Sequence, residues 1–170
     1  MEEHVRKMLE SKPPLSEIIT KQIRHDGIIF GSKLFGGWGA DGESDVDVLL
    51  PPTFHYTWTD LFKLGGVYTQ DYMTPDCEFA SIYVKMSDSK YIHNLLLFKA
   101  DHHFRKWKNA TDCLMKLKAS NVNIAVGIKQ KKIRVAIFEA LKLLFTETPL
   151  KLKPQTFEEP FFDYDEEIPF

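Results

Sequence analysis

No stretch of this chain approaches the roughly 18 consecutive apolar residues that cross a bilayer, and its N-terminus, MEEHVRKMLESKPP, is charged and lacks the apolar core of a secretory signal. Membrane insertion and secretion are therefore not expected. Cysteine is scarce: Cys77 and Cys113 are the only two in 170 residues. That is too few for a disulfide framework, and the pair lacks the spacing of a zinc site. The six histidines, His102 and His103 among them, show no metal-binding spacing such as HExxH and read as solvated positions at a helix start. A reducing cytoplasm is the simplest setting. There is also no internal repeat.

What is present is ample core material and an uneven charge. With 44% hydrophobic and 13% aromatic residues, the chain can bury one core, and one domain over residues 1–150 is expected, followed by a flexible tail, 151–170. The net charge is −2, but the last 17 residues, Pro154 to Phe170, carry six acids and no Lys or Arg. The body is left with 18 acids against 22 bases, a mildly basic domain with an acidic extension.

Val5, Met8 and Leu9 recur at helical spacing until Lys12-Pro13-Pro14. Ser16 caps a second helical pattern, Ile18, Ile19, Gln22 and Ile23. GIIFGS (27–32) and DVDVLLP (45–51) read as strands, as do FASIYVK (79–85) and IHNLLLF (92–98). From about Asp101 the pattern is helical, through Phe104, Trp107, Ala110, Thr111, Leu114 and Leu117. After a loop it resumes through Val135, Ile137, Phe138, Leu141, Leu144 and Phe145. This order predicts an α+β fold, a small mixed sheet with its helices gathered on one side. Nothing in it resembles the five-stranded all-β pattern of a single-stranded-nucleic-acid barrel.

Residues two apart on a strand share a face, so Asp45 and Asp47 present their carboxylates together while Val46, Val48 and Leu50 point the other way. Two like charges so close repel, and a hard divalent cation relieves them, taking carboxylate oxygens together with water and phosphates. Gly31-Ser32 closes the preceding strand. A residue without a side chain there lets backbone N–H groups approach a phosphate, and the hydroxyl adds a hydrogen bond. The plainer alternative is a polar strand edge beside a flexible turn. Trp38, within the Gly-rich turn, either stacks on a base or packs over the turn. Lys129, Lys131, Lys132 and Arg134 read as a wet helix face or as a basic end that meets triphosphate or nucleic-acid backbone.

Phe30-Gly31-Ser32 followed by Asp45-Val46-Asp47-Val48 resembles the signature of the polymerase-β-like nucleotidyltransferase superfamily. Asn94-Leu95-Leu96, Phe104, Trp107, Ala110-Thr111, Lys131, Arg134-Val135 and Phe138 resemble the downstream pattern of small bacteriophage nucleotidyltransferases. The likeness spans roughly residues 16 to 145. It implies transfer of a nucleoside monophosphate from an NTP to a hydroxyl on a nucleic-acid or protein acceptor. Asp45 and Asp47 would hold Mg²⁺ or Mn²⁺, and Gly31 and Ser32 would bind the triphosphate. The superfamily's third carboxylate is replaced by Asn94, which cannot take a proton; Glu78, just before the 79–85 strand, is the candidate substitute.

The tail ends Asp163-Tyr164-Asp165-Glu166-Glu167-Ile168-Pro169-Phe170. Acids interleaved with aromatics and prolines are expected to be flexible, and a solubilising extension is the simple reading. The tip also resembles the C-terminal tip of bacterial single-stranded-DNA-binding proteins, which implies host replication or repair proteins as partners. They would take the Phe170 ring in an apolar pocket and the acids on Lys or Arg.

Overall fold

The computed structural model describes residues 3–35, 45–70, 77–120, 122–127 and 129–146. Residues 36–44, with Trp38, and 147–170, with the tip Asp163–Phe170, lie outside the described residues. The element order is α1 (Glu3–Glu10), α2 (Glu17–Asp26), β1 (Ile28–Phe30), α3 (Gly31–Phe35), β2 (Val46–Leu50), α4 (Trp58–Lys63), β3 (Val67–Gln70), β4 (Phe79–Lys85), β5 (Ile92–Phe98), α5 (Asp101–Ser120), α6 (Val122–Gly127) and α7 (Lys131–Leu144). The fold is α+β. Its strands form one open sheet in the order β1-β2-β5-β4-β3, with β2 and β5 parallel and the other pairs antiparallel.

Local sequence explains the helix boundaries. Ser16 caps α2 by accepting from the Ile19 N–H at 3.4 Å. The helix then buries Ile19, Thr20 and Ile23 and leaves Ile18 in solvent. In α4, Thr57 and Asp60 close a reciprocal capping box, which lets a helix of only six residues stand.

The sheet's alternation sorts the core. Val46, Val48 and Leu50 join Leu95, Leu97, Ile82 and Val84 on one face, covered by Leu15, Ile19 and Ile23 and by Leu61 of α4. Each fully buried aliphatic side chain there contributes about 1.5–3 kcal/mol. The opposite face carries Leu49, Leu96 and Phe98, packed with Ile28, Phe30, Phe79, Phe104 and Trp107. Above it α3, α5 and α7 share a second cluster around Phe35, Leu114 and Phe138. At the far edge of that face, α1 sets Val5 and Leu9 against Val67, Tyr83 and Ile92. Helices therefore cover both faces, which corrects the expectation that they gather on one. The buried runs of β2 and β5, apolar on both sides at 48–50 and 95–98, demand it. Among the described residues no helix is long and apolar enough to cross a membrane.

Candidate functional site

Between the aromatic end of the α5 face and the α1 end lies a polar strip. Register sets it: Asp47 pairs with Asn94 across the parallel β2–β5 ladder and with Phe30 across β1–β2. Asn94 Nδ2 donates to Asp47 Oδ1 at 3.0 Å, and Ser81 Oγ donates to Asn94 Oδ1 at 2.7 Å. The amide is thus fixed with its hydrogens toward the carboxylate. Ser81 is 6% exposed and was not anticipated as part of the site. Its signal was there in FASIYVK, a hydroxyl among apolar strand residues that has to find a partner once buried.

Gly31 stands directly over this strip. Its φ is +70°, and a Cβ on it would collide with the Asp47 carboxylate oxygen Oδ2. Glycine is required there twice over, by backbone conformation and by close approach. Ser32 follows in the first turn of α3 and is half-buried. Asp45 sits just ahead of β2 and is also half-buried.

The electrostatics are those of an under-neutralised acid. Burial, and then the Asp45 charge, push the Asp47 carboxyl up to about 6. The Asn94 hydrogen bond and the charge of Lys131 pull the other way and only partly offset the rise. From above comes Arg134 of α7, 8% exposed, whose Nη1 donates to the Lys129 carbonyl at 3.3 Å. Burial lowers its pKa, while the charge of Asp47 works to raise it. The fold thus brings Asp45, Asp47, Asn94, Gly31, Lys131 and Arg134 into one electrostatic neighbourhood.

Glu78 is not part of it. It lies level with Lys99, whose N–H donates to the Glu78 carbonyl at 3.0 Å. That is five residues along β5 from Asn94, roughly 16 Å at strand rise. Lys106 Nζ hydrogen-bonds Glu78 Oε1, and Trp107 Nε1 donates to Oε2 at 2.6 Å. Burial works to raise this carboxyl, but those two donors outweigh it and hold the pKa below the ordinary value. His103 Nδ1 lies 3.5 Å from Oε1 without making a hydrogen bond. Glu78 ties α5 to the sheet, at a distance from Asp45 and Asp47.

Among the described residues no cluster of three His, Cys, Asp or Glu side chains forms a metal cage. Asp45 and Asp47 offer two carboxylates, the protein share that suffices for a small hard cation keeping its waters and taking substrate phosphates. Cavities of about 300 and 170 Å³ open elsewhere, the first beside Phe54, Tyr56 and Trp58 and the second beneath α2 at Val46, Val48 and His93, on the face away from the carboxylates. Compared with protein-family models, curated proteins and solved structures, the chain matches none.

Proposed function

We propose that the strip around Asp47 is a nucleotidyl-transfer site that uses Mg²⁺ or Mn²⁺ and an NTP. The observation that carries the proposal is the close approach of Gly31 to a half-buried, under-neutralised Asp47 with Asp45 beside it. A site that strains one acid against another, under a glycine that leaves room for nothing larger, is built to receive positive charge. The cation, when bound, would screen the triphosphate and polarise the α-phosphorus. Asp45 and Asp47 would hold it, Gly31 and Ser32 would border the phosphates, and Arg134 and Lys131 would face their negative charge. In the transfer an acceptor hydroxyl oxygen bonds the α-phosphorus, the α–β phosphoanhydride P–O bond breaks, and pyrophosphate leaves with the bonding pair. The hydroxyl proton passes to solvent.

A second reading has its own observation. Asn94 occupies the place where the resemblance implies a third carboxylate, and it presents N–H groups rather than oxygens to Asp47. A site of this kind would bind a nucleotide without turning it over, leaving the chain to act as a binding protein or inhibitor. Labelling of an acceptor with radioactive NTP and Mg²⁺ or Mn²⁺ separates the two. Transfer is expected from the parent chain, and Asp45→Asn with Asp47→Asn should reduce it by at least about 10²-fold with the fold intact. Metal-dependent nucleotide binding without labelling selects the second reading; neither binding nor labelling removes both.

The tail extends the proposal to partners. Its tip would dock on host proteins of replication or repair that recognise acidic, phenylalanine-terminated peptides. Deleting Phe170 should cost such binding about 2 kcal/mol or more, the usual loss of a central anchor. Titration against a candidate partner, with a competing tip peptide, measures it. Binding that survives both the deletion and the peptide would make the tail a solubilising extension.

A further inference from the structure

The apolar spacing of the last helix includes Val135 and Leu144, yet both face solvent, 47% and 76% exposed. Helix α7 buries Arg134, Phe138 and Leu141 and leaves a second apolar stripe outside. Ile133, Ala136, Ala140, Leu143 and Leu144 recur three and four residues apart and fall within about 100° of the helix circumference at 100° per residue. All five are exposed, Leu143 as fully as Leu144. Val126 of α6, 57% exposed, lies in the segment whose Gly127 abuts Ile133 and prolongs the stripe. A continuous apolar surface some 16 Å long, at 1.5 Å per residue from Ile133 to Leu144, calls for a cover.

We infer that the cover is the chain's own C-terminal segment, residues 147–170, folded back along α7. Three features favour it. The chain leaves α7 at the Leu143-Leu144 end of the stripe, so the segment begins where the surface begins. Its 24 residues, extended at about 3 Å each, exceed the distance required several-fold. Its composition matches the surface at both ends: Phe157, Phe161 and Phe162 are available for the aliphatic stripe, and the acids of 158–167 for the basic start of α7. There Lys129, Lys131 and Lys132 are all exposed. Ala136 and Ala140 at mid-stripe leave a shallow furrow into which aromatic rings fit. The inference does not require the chemistry at Asp45 and Asp47, although Lys131 is common to both.

Trypsin reads this directly on the full chain, because Lys151 lies in the segment with Leu152 after it, whereas Lys153 precedes Pro154 and is not cut, and cleavage follows the population of the open form. Cleavage there should be slow in the parent chain. It should run roughly tenfold faster in Ala140→Glu, the change in open population that loss of about 1.4 kcal/mol produces, and faster also in salt. A second variant, Phe161→Ser with Phe162→Ser, alters only the segment, leaves the body's fold untouched, and should accelerate cleavage alike. Equal cleavage in the parent and both variants overturns the inference. Protection that grows with protein concentration, with the mass of a dimer in light scattering, overturns it too and assigns the stripe to a second copy of the chain.

Discussion

The two ends of one sheet face hold two carboxylates treated in opposite ways. Glu78 meets an ammonium and an indole N–H, and its pKa falls despite burial. Asp47 meets an amide and another acid, and its pKa rises to about 6. Both are half-buried, Asp47 within β2 and Glu78 just ahead of β4, and burial works to raise both. The difference is the supply of positive charge from the protein: complete at Glu78, where the carboxylate fastens α5, and deficient at Asp47. A carboxylate whose partners are all supplied by the fold reads as structural; one left short of positive charge is a candidate site.

The comparison is broken most severely at Gly31. Gly31→Ala places a Cβ on Asp47 and asks alanine to adopt φ +70°, and a loss of about 3 kcal/mol is expected from clash and strain together. A lower urea midpoint at unchanged slope would register it. A midpoint equal to the parent's would mean that Gly31 does not stand over the carboxylate.

Next in size is a pH effect. Folding raises Asp47 from the ordinary carboxylate value to about 6, so the folded state holds the proton more tightly than the unfolded chain. The stability this provides is full below pH ~4 and is lost as pH rises through 6. Asp47→Asn removes the liability and should be about 2 kcal/mol more stable than the parent above pH 6, with the gap closing toward pH 4. Chemical denaturation at several pH values traces the difference; a pH-independent gap would show that Asp47 ionises freely.

The smallest effect has the opposite slope. Because the Glu78 carboxyl is held low, its stabilisation is present above the unfolded value and disappears as pH falls through the folded one. Glu78→Gln should therefore cost about 1 kcal/mol at pH 7, from the Lys106 left partly buried without its partner, and progressively less as the pH is lowered through the carboxyl's folded-state titration. NTP-dependent labelling should be unchanged. Loss of labelling at unaltered stability would return Glu78 to the reaction.

Much of this contrast is legible in the sequence. Period-two alternation puts Asp47 on the face opposite Val46 and Val48, whose apolar side chains belong to the core, and Asp45 follows just ahead of β2. Ser16 ahead of its aliphatic repeat marks α2 as surely as the structure does. The strands 79–85 and 92–98 also coincide with β4 and β5. What escaped were the short elements and the long-range pairings. The six residues of α4 are too few for periodicity, although the Thr57-x-x-Asp60 capping box was available. β3 is a four-residue edge strand with a register shift at Tyr68/Gln70. Glu78 appeared close to the aspartates because nothing local reveals that β4 runs antiparallel to β5 and carries its first residues to the far end. Leu144 fits a helical repeat that a packed face and an exposed stripe satisfy equally, and Val135 is exposed on another side of α7.

The parallel pairing of β2 with β5 also governs the order in which the molecule can be made. Asp47 and its hydrogen-bond partner Asn94 are 47 residues apart, with α4, β3 and β4 strung between them, and Arg134 comes 40 residues later still. Closing loops of that length costs entropy before any contact repays it. During synthesis the two aspartates emerge early, as an ordinary acidic segment open to water. They become a confined pair only when β5 has been translated and inserted between β2 and β4, and they acquire the guanidinium only when α7 arrives. A nascent or truncated chain ending before residue 92 therefore carries the acidic motif without Asn94 or Arg134, and the finished polar strip is among the last parts of the fold to exist.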